Sequence, residues 1–165
     1  FENKATIAEV KKQGFSLASS TYYVYFSDDD VYFEKGWDSK LIKVLEAFRG
    51  IGVIGGRKHS HHQLFEIRQF GDDQLLICEQ QAGYSLMLRR KDYLAIGGYE
   101  VSERTQDGGE DTLICDMIKA RGLLVASIDP PVIMHCGLTN YKGLHAADYS
   151  EMQQLRLQRP EVKFL

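Results

Sequence analysis

Nowhere in the chain do roughly 18 apolar residues follow one another without interruption, the length a membrane-spanning helix requires, and the start shows no signal-peptide pattern. A basic surplus is missing too. The formal net charge is −3 and the pI about 6.0, and Lys and Arg are scattered, which argues against the clustered basic surface of a nucleic-acid binder. Cysteine is scarce: Cys78, Cys115 and Cys136, an odd number at wide spacings, give neither a disulfide framework nor a CxxC zinc pattern. They read as reduced core thiols of a cytoplasmic protein, any membrane association being carried by other regions. No repeat, low-complexity tract or interdomain linker interrupts the 165 residues, so a single domain over 1–165 is expected.

What is present is an alternation of helical and strand patterns. Residues 5–18 read as a modest helix weakened by Gly14, and 22–27 as an aromatic, β-branched strand. Trp37, Leu41, Val44, Leu45 and Phe48 recur at helical spacing, with Gly50 as the expected stop. "IGVIGG" at 51–56 is a buried strand. The polar stretch 57–73, with His59, His61 and His62, lacks a sustained period and is expected to be a long loop. "QLLICEQ" and "YSLMLRR" read as strands, and "KDYLAIGGYE" as a helical turn closed by a glycine pair. "GEDTLICDMIKARG" carries the strongest helical face, stopped by Gly122. "LLVASI" and "VIMHCG" are strands on either side of Pro130 and Pro131. Ser150 and Gln153 open an expected last helix that ends before Pro160. Helices interleaved with short apolar strands make the class α/β.

Three acidic residues, Asp28, Asp29 and Asp30, stand where the first strand ends. Open α/β sheets bind ligands outside the carboxyl ends of their strands. Carboxylates bunched this closely repel one another, and a divalent cation removes that repulsion. An acidic turn capping the following helix accounts for them equally well. A calcium-binding EF-hand does not, because Tyr32 and Phe33 stand where it needs Asp or Asn and then Gly. Glu110 and Asp111 open the strongest helix after Gly108 and Gly109. Acids there stabilise the helix dipole by about 0.3–1 kcal/mol without any chemistry, but glycines beside them let another backbone or a substrate approach, and a carboxylate so placed can act as a general base. His135 closes a short strand, as a satisfied core residue or as a ligand. The histidines at 59–62 read as solvated.

Taken in order, "YVYFSDDDVYFEKGW", "AGYSLMLRRKDYLAIGGYE", "GGEDTLICDMIKARG" and "VIMHCG" resemble the inverting family 2 glycosyltransferases of GT-A fold, over about residues 22–137. The resemblance implies the C-terminal portion of a GT-A domain, with a mixed central sheet flanked by helices. It implies a divalent cation, Mn²⁺ or Mg²⁺, on Asp30, with Asp28 on the metal or the nucleoside ribose and His135 completing the metal shell. Asp29 lies between them beside the nucleotide. Asp111 would be the base that deprotonates the acceptor, with Glu110 beside it holding acceptor or serving as base instead. Gly83 would allow close approach of the donor, and Gly98 and Tyr99 would shape the sugar and acceptor cleft. The implied partners are a UDP- or GDP-sugar and a carbohydrate or other hydroxyl acceptor. In the family a βαβ unit that binds the base precedes the acidic triplet. Only residues 1–27 precede it here, so the expected domain is incomplete.

Two rival readings share these residues. Haloacid-dehalogenase-type phosphatases also open with a strand and DxD. Asp28 would then be the nucleophile and Asp30 the acid/base, with Asp111 or Asp116 on Mg²⁺. Tyr32, where that pattern has Thr or Val, speaks against it. A sugar- or protein-binding module without turnover would leave every one of these residues structural.

Overall fold

The computed structural model describes residues 6–18, 21–28, 30–58, 62–99 and 109–135; the helix expected from Ser150 lies outside them. In chain order the elements are α1 (Ile7–Leu17), β1 (Tyr23–Phe26), β2 (Val31–Phe33), α2 (Trp37–Ala47), β3 (Ile51–Gly55), β4 (Leu64–Phe70), β5 (Asp73–Cys78), β6 (Leu86–Arg89), α3 (Arg90–Ala95), α4 (Glu110–Ala120), β7 (Leu124–Asp129) and β8 (Ile133–His135). Six strands form one mixed sheet in the order β1-β6-β3-β7-β5-β4, in which β3 and β7 run parallel and the other neighbours antiparallel. β2 and β8 pair separately as an antiparallel ribbon.

The sheet separates two cores, and the alternation of side chains along each strand assigns residues to one or the other. Leu86 and Leu88 of β6 and Val125 of β7 face α1, α3 and α4, where Ala8, Tyr93, Ile114 and Ile118 close the layer. Met87, Ala126 and Ile128 point the opposite way, against Leu41, Val44 and Leu45 of α2 and Ile133 of β8. The three α2 residues are fully buried, each worth about 1.5–3 kcal/mol relative to exposure. Strands covered on both faces read as continuous apolar runs rather than alternating ones, and β3 and β6 are buried at every position.

Helix ends follow from local chemistry. Thr6 and Glu9 form a reciprocal capping box at α1, with Glu9 N–H donating to Thr6 Oγ1 at 3.2 Å and Thr6 N–H to Glu9 Oε2 at 2.6 Å. α2 ends at Ala47, before the expected stop at Gly50. Its terminal carbonyls are satisfied by a side chain distant in sequence. Buried Arg89 donates to Leu45 O and Phe48 O, and to Ile51 O at 2.8 Å, while Asp92 balances its charge at 3.0 Å. A cation suits the negative end of a helix. The first arginine of the "RR" pair is therefore a strut of the fold.

Two sequence expectations are corrected. Within 57–73, Leu64–Phe70 is a strand, joined to β5 by the two-residue turn Gly71-Asp72, with Gly71 at φ 60°. A glycine with positive φ at the first turn position is the II′ hairpin signal. The other correction is β2, which takes up Val31–Phe33 directly after the aspartates, where the sequence suggested only an approach to α2.

Candidate functional site

Asp28 and Asp30 are brought to His135 by the β2–β8 ribbon. Its register sets Val31 opposite His135, so the residue preceding Val31 lies beside the imidazole. The ribbon is anchored by Glu34 N–H donating to Val132 O and Val132 N–H to Gly56 O, both at 2.9 Å, which ties β8 to the end of β3. His135 Nε2 lies 3.0 Å from Asp30 Oδ1, and its ring stacks on Tyr84 with centroids 4.8 Å apart and planes at 21°. Ligand atoms of Asp28, Asp30 and His135 all lie within 4.8 Å of one another. Asp30 Oδ1 is itself covered, and the His135 imidazole 3.0 Å away is its polar neighbour.

Burial pushes the Asp28 carboxyl above its ordinary value, reinforced by Asp30 and Glu110 and opposed by Lys11 and His135. The site disfavours a further negative charge, the condition a cation relieves.

Lys11 joins this cluster to the second pair of acids. It projects from α1, 9% exposed, and its ammonium lies 3.2 Å from Glu110 Oε1 and 3.8 Å from Asp28 Oδ1. It also donates to Gly83 O at 3.1 Å and sits 5.7 Å from the Tyr99 ring centroid. Glu110 is buried, so its charge requires such a partner. Asp111 Oδ2 accepts the Gly83 N–H at 2.9 Å, and Oδ1 the Thr112 N–H at 2.7 Å. Gly109, at φ 81°, turns the chain into α4 so that both acids start its first turn.

Gly83 thus lies at the junction. A Cβ there would stand 3.2 Å from both Glu110 Oε1 and Lys11 Nζ and 3.4 Å from Asp111 Cβ. Its immediate neighbours are this charged network. Gly98 and Tyr99, expected to shape a cleft, are buried in the core. A Cβ on Gly98 would meet the Tyr93 ring at 3.0 Å, and Tyr99, 1% exposed, packs edge-on to Phe26 at 4.8 Å. Tyr99 is a core residue, and its hydroxyl is pushed well up by burial. Asp116 pairs with Lys119 at 2.9 Å on the partly exposed face of α4, outside the cluster. Asp29, His59, His61, Gly108, Cys136 and Gly137 lie outside the described residues.

Of the residues singled out in the sequence, the structure brings together Asp28, Asp30, His135, Gly83, Glu110 and Asp111. Lys11 is the one that sequence reasoning missed. Its signal was available: it falls between Ala8 and Phe15 at helical spacing, and a lysine in the apolar stripe of a helix needs a partner. Concavities of about 490 and 640 Å³ lie elsewhere, the first lined by Arg49, Arg90 and Lys91, the second by Lys40, Phe70 and Asp73. The cluster is recognised by its donors, not by cavity volume. No protein-family model matches the chain, and no curated protein is significantly similar to it.

Proposed function

We propose that the chain carries the catalytic part of a GT-A-type glycosyltransferase, which moves a sugar from a nucleotide-diphosphate donor to an acceptor hydroxyl with inversion. The observation that carries this reading is the meeting of Asp28, Asp30 and His135 within 4.8 Å, linked through Lys11 to the two acids that start α4. The donor set fits a divalent cation of the Mn²⁺ type: two carboxylates and an imidazole whose ligand atoms already lie within 4.8 Å of one another. A cation bound there supplies neutralisation of the charge that develops on a departing diphosphate.

The chain's own residues have separate tasks. Asp28, Asp30 and His135 hold their donor atoms in place before any ligand arrives, the imidazole fixed by its stacking on Tyr84. Lys11 balances Glu110 and keeps it from repelling Asp28. Asp111 is oriented by the Gly83 and Thr112 amides, one on each oxygen, which leaves a lone pair on each for the proton of an incoming hydroxyl. Asp111 takes that proton as the hydroxyl attacks the anomeric carbon, and a single displacement inverts the configuration.

The test is binding and turnover with UDP- and GDP-sugars, with and without Mn²⁺. Nucleotide binding that requires the metal, together with transfer abolished by Asp111→Asn while binding persists, supports the reading. Metal-independent binding, or turnover unchanged in that variant, removes it. Release of phosphate through a covalent adduct on Asp28 would favour the phosphohydrolase alternative.

A further inference from the structure

β4 is the outer strand of the six-stranded sheet among the described residues, and its side chains are unusually uncovered for a strand. Leu64 is 40%, Phe65 56% and Ile67 53% exposed. An edge strand with exposed apolar residues is a template for pairing with another chain unless charge, proline or a bulge blocks it. Here the bulge falls between Leu64 and Glu66, at one end, and leaves Glu66–Phe70 in regular register with β5. The only charged residues of the strand, Glu66 and Arg68, neutralise each other at 2.7 and 2.8 Å.

The turn fixes which backbone groups are available. Phe70 and Asp73 flank a two-residue loop and form its hydrogen-bonded pair, so hydrogen-bonded pairs recur at Arg68 and Glu66. Ile67 and Gln69 accordingly present their N–H and C=O to the open edge. A two-fold antiparallel pairing of this edge can be centred on Glu66, Ile67 or Arg68. Centring on Glu66 sets glutamate against glutamate, and centring on Arg68 sets arginine against arginine, both unfavourable. Centring on Ile67 sets Ile67 against its own copy and each Glu66 against the other strand's Arg68. The order acid, isoleucine, base is therefore self-complementary in one register only.

We propose that β4 is a homodimerisation edge, on which a second copy of this chain pairs antiparallel about a two-fold axis through Ile67 and joins two six-stranded sheets into one. The contact is isologous, as two-fold dimers require. It lies at the opposite edge of the sheet from β1, from which the Asp28 segment leads, and does not depend on the chemistry there.

Self-association is read by sedimentation velocity over a concentration series and by cysteine cross-linking. The expected result is a concentration-dependent shift from the protomer mass to twice that mass. Glu66→Arg should weaken the dimer at least about tenfold, and the double exchange Glu66→Arg with Arg68→Glu should restore it. Under mild oxidation Ile67→Cys should give a disulfide-linked dimer, since facing residues of a hydrogen-bonded pair stand about 5.5 Å apart. Gln69→Cys should not, because its copies would stand four residues apart along the strands, beyond disulfide reach. A monomer at every concentration overturns the proposal. So does a dimer indifferent to Glu66→Arg, or cross-linking at Gln69→Cys as efficient as at Ile67→Cys.

Discussion

Lys11 and Glu110 are 99 residues apart in the chain, yet their charged atoms meet at 3.2 Å with both side chains only 8% exposed. The contact fastens α1 to the first turn of α4, and the same ammonium lies 3.8 Å from Asp28 Oδ1. A buried ion pair contributes little net stability, but removing one partner leaves the other charge uncompensated, at about 3–5 kcal/mol. Lys11→Met is accordingly expected to lower unfolding free energy by that amount in urea. Lys11→Met combined with Glu110→Leu should recover most of it. A single variant as stable as the parent would show that the pair is not closed in solution.

Gly83 tests the packing around that pair. An added methyl at 3.2 Å from Glu110 Oε1 and Lys11 Nζ requires two groups held by each other to give by a few tenths of an ångström. Gly83→Ala is expected to destabilise by about 1–3 kcal/mol, the usual range for overpacking, with the α4 acids displaced. Thermal unfolding checks the first effect, and the amide shift of residue 83 in NMR the second. An unchanged midpoint would mean that the junction is looser than its distances.

The cysteines give a prediction free of any ligand. Burial pushes the Cys78 thiol up to about 11 and the Cys115 thiol up to about 12. Reactivity depends on the thiolate, so at pH 8 Cys78 should alkylate about a hundredfold more slowly than an ordinary thiol, and Cys115 more slowly still. Peptide-level labelling with iodoacetamide should modify both only after denaturant is added. Rapid modification of Cys115 in the folded chain would contradict its burial.

Asp28 supplies a pH dependence. Its carboxyl is raised chiefly by desolvation, so the stabilising contribution of its protonated form is present below the ordinary value of 3.8 and is lost as the pH rises through the folded value. Replacing it by the neutral Asn should leave the metal-free fold at least as stable at pH 7 while removing the stabilisation that Mn²⁺ confers. Mn²⁺ affinity of the parent should begin to fall at a higher pH than an ordinary aspartate would require, because protons compete for the same oxygen. Thermal midpoints measured against pH, with and without Mn²⁺, check both.

The sequence was most informative where one rule acts alone. The buried strands β3, β6 and β7, the amphipathic α2 and α4, and the left-handed Gly122 after α4 are all legible from periodicity and glycine placement. So is the mixed α/β class. β4 was not, because nearly all its residues are exposed and no alternation marks a buried face. Only the Gly71-Asp72 turn betrays it. β2 is three residues long and is defined by its partner β8, whose register no local pattern contains. At the site, residue type picked out Asp28, Asp30, His135, Glu110 and Asp111. The spacing of Lys11 between Ala8 and Phe15 marks a lysine in need of a partner, but which partner depends on how α1 and α4 pack.

The central claim is that Asp28, Asp30 and His135 together hold a divalent cation. Electron paramagnetic resonance of Mn²⁺ titrated into the protein, with and without UDP and against a blank of UDP alone, measures this directly, because the six-line signal of the free ion disappears on binding beyond the blank. The account predicts one Mn²⁺ bound per chain, lost in Asp30→Asn and in His135→Ala with the fold unchanged by circular dichroism. Mn²⁺ binding of equal affinity in those variants, or none in the parent, would contradict it.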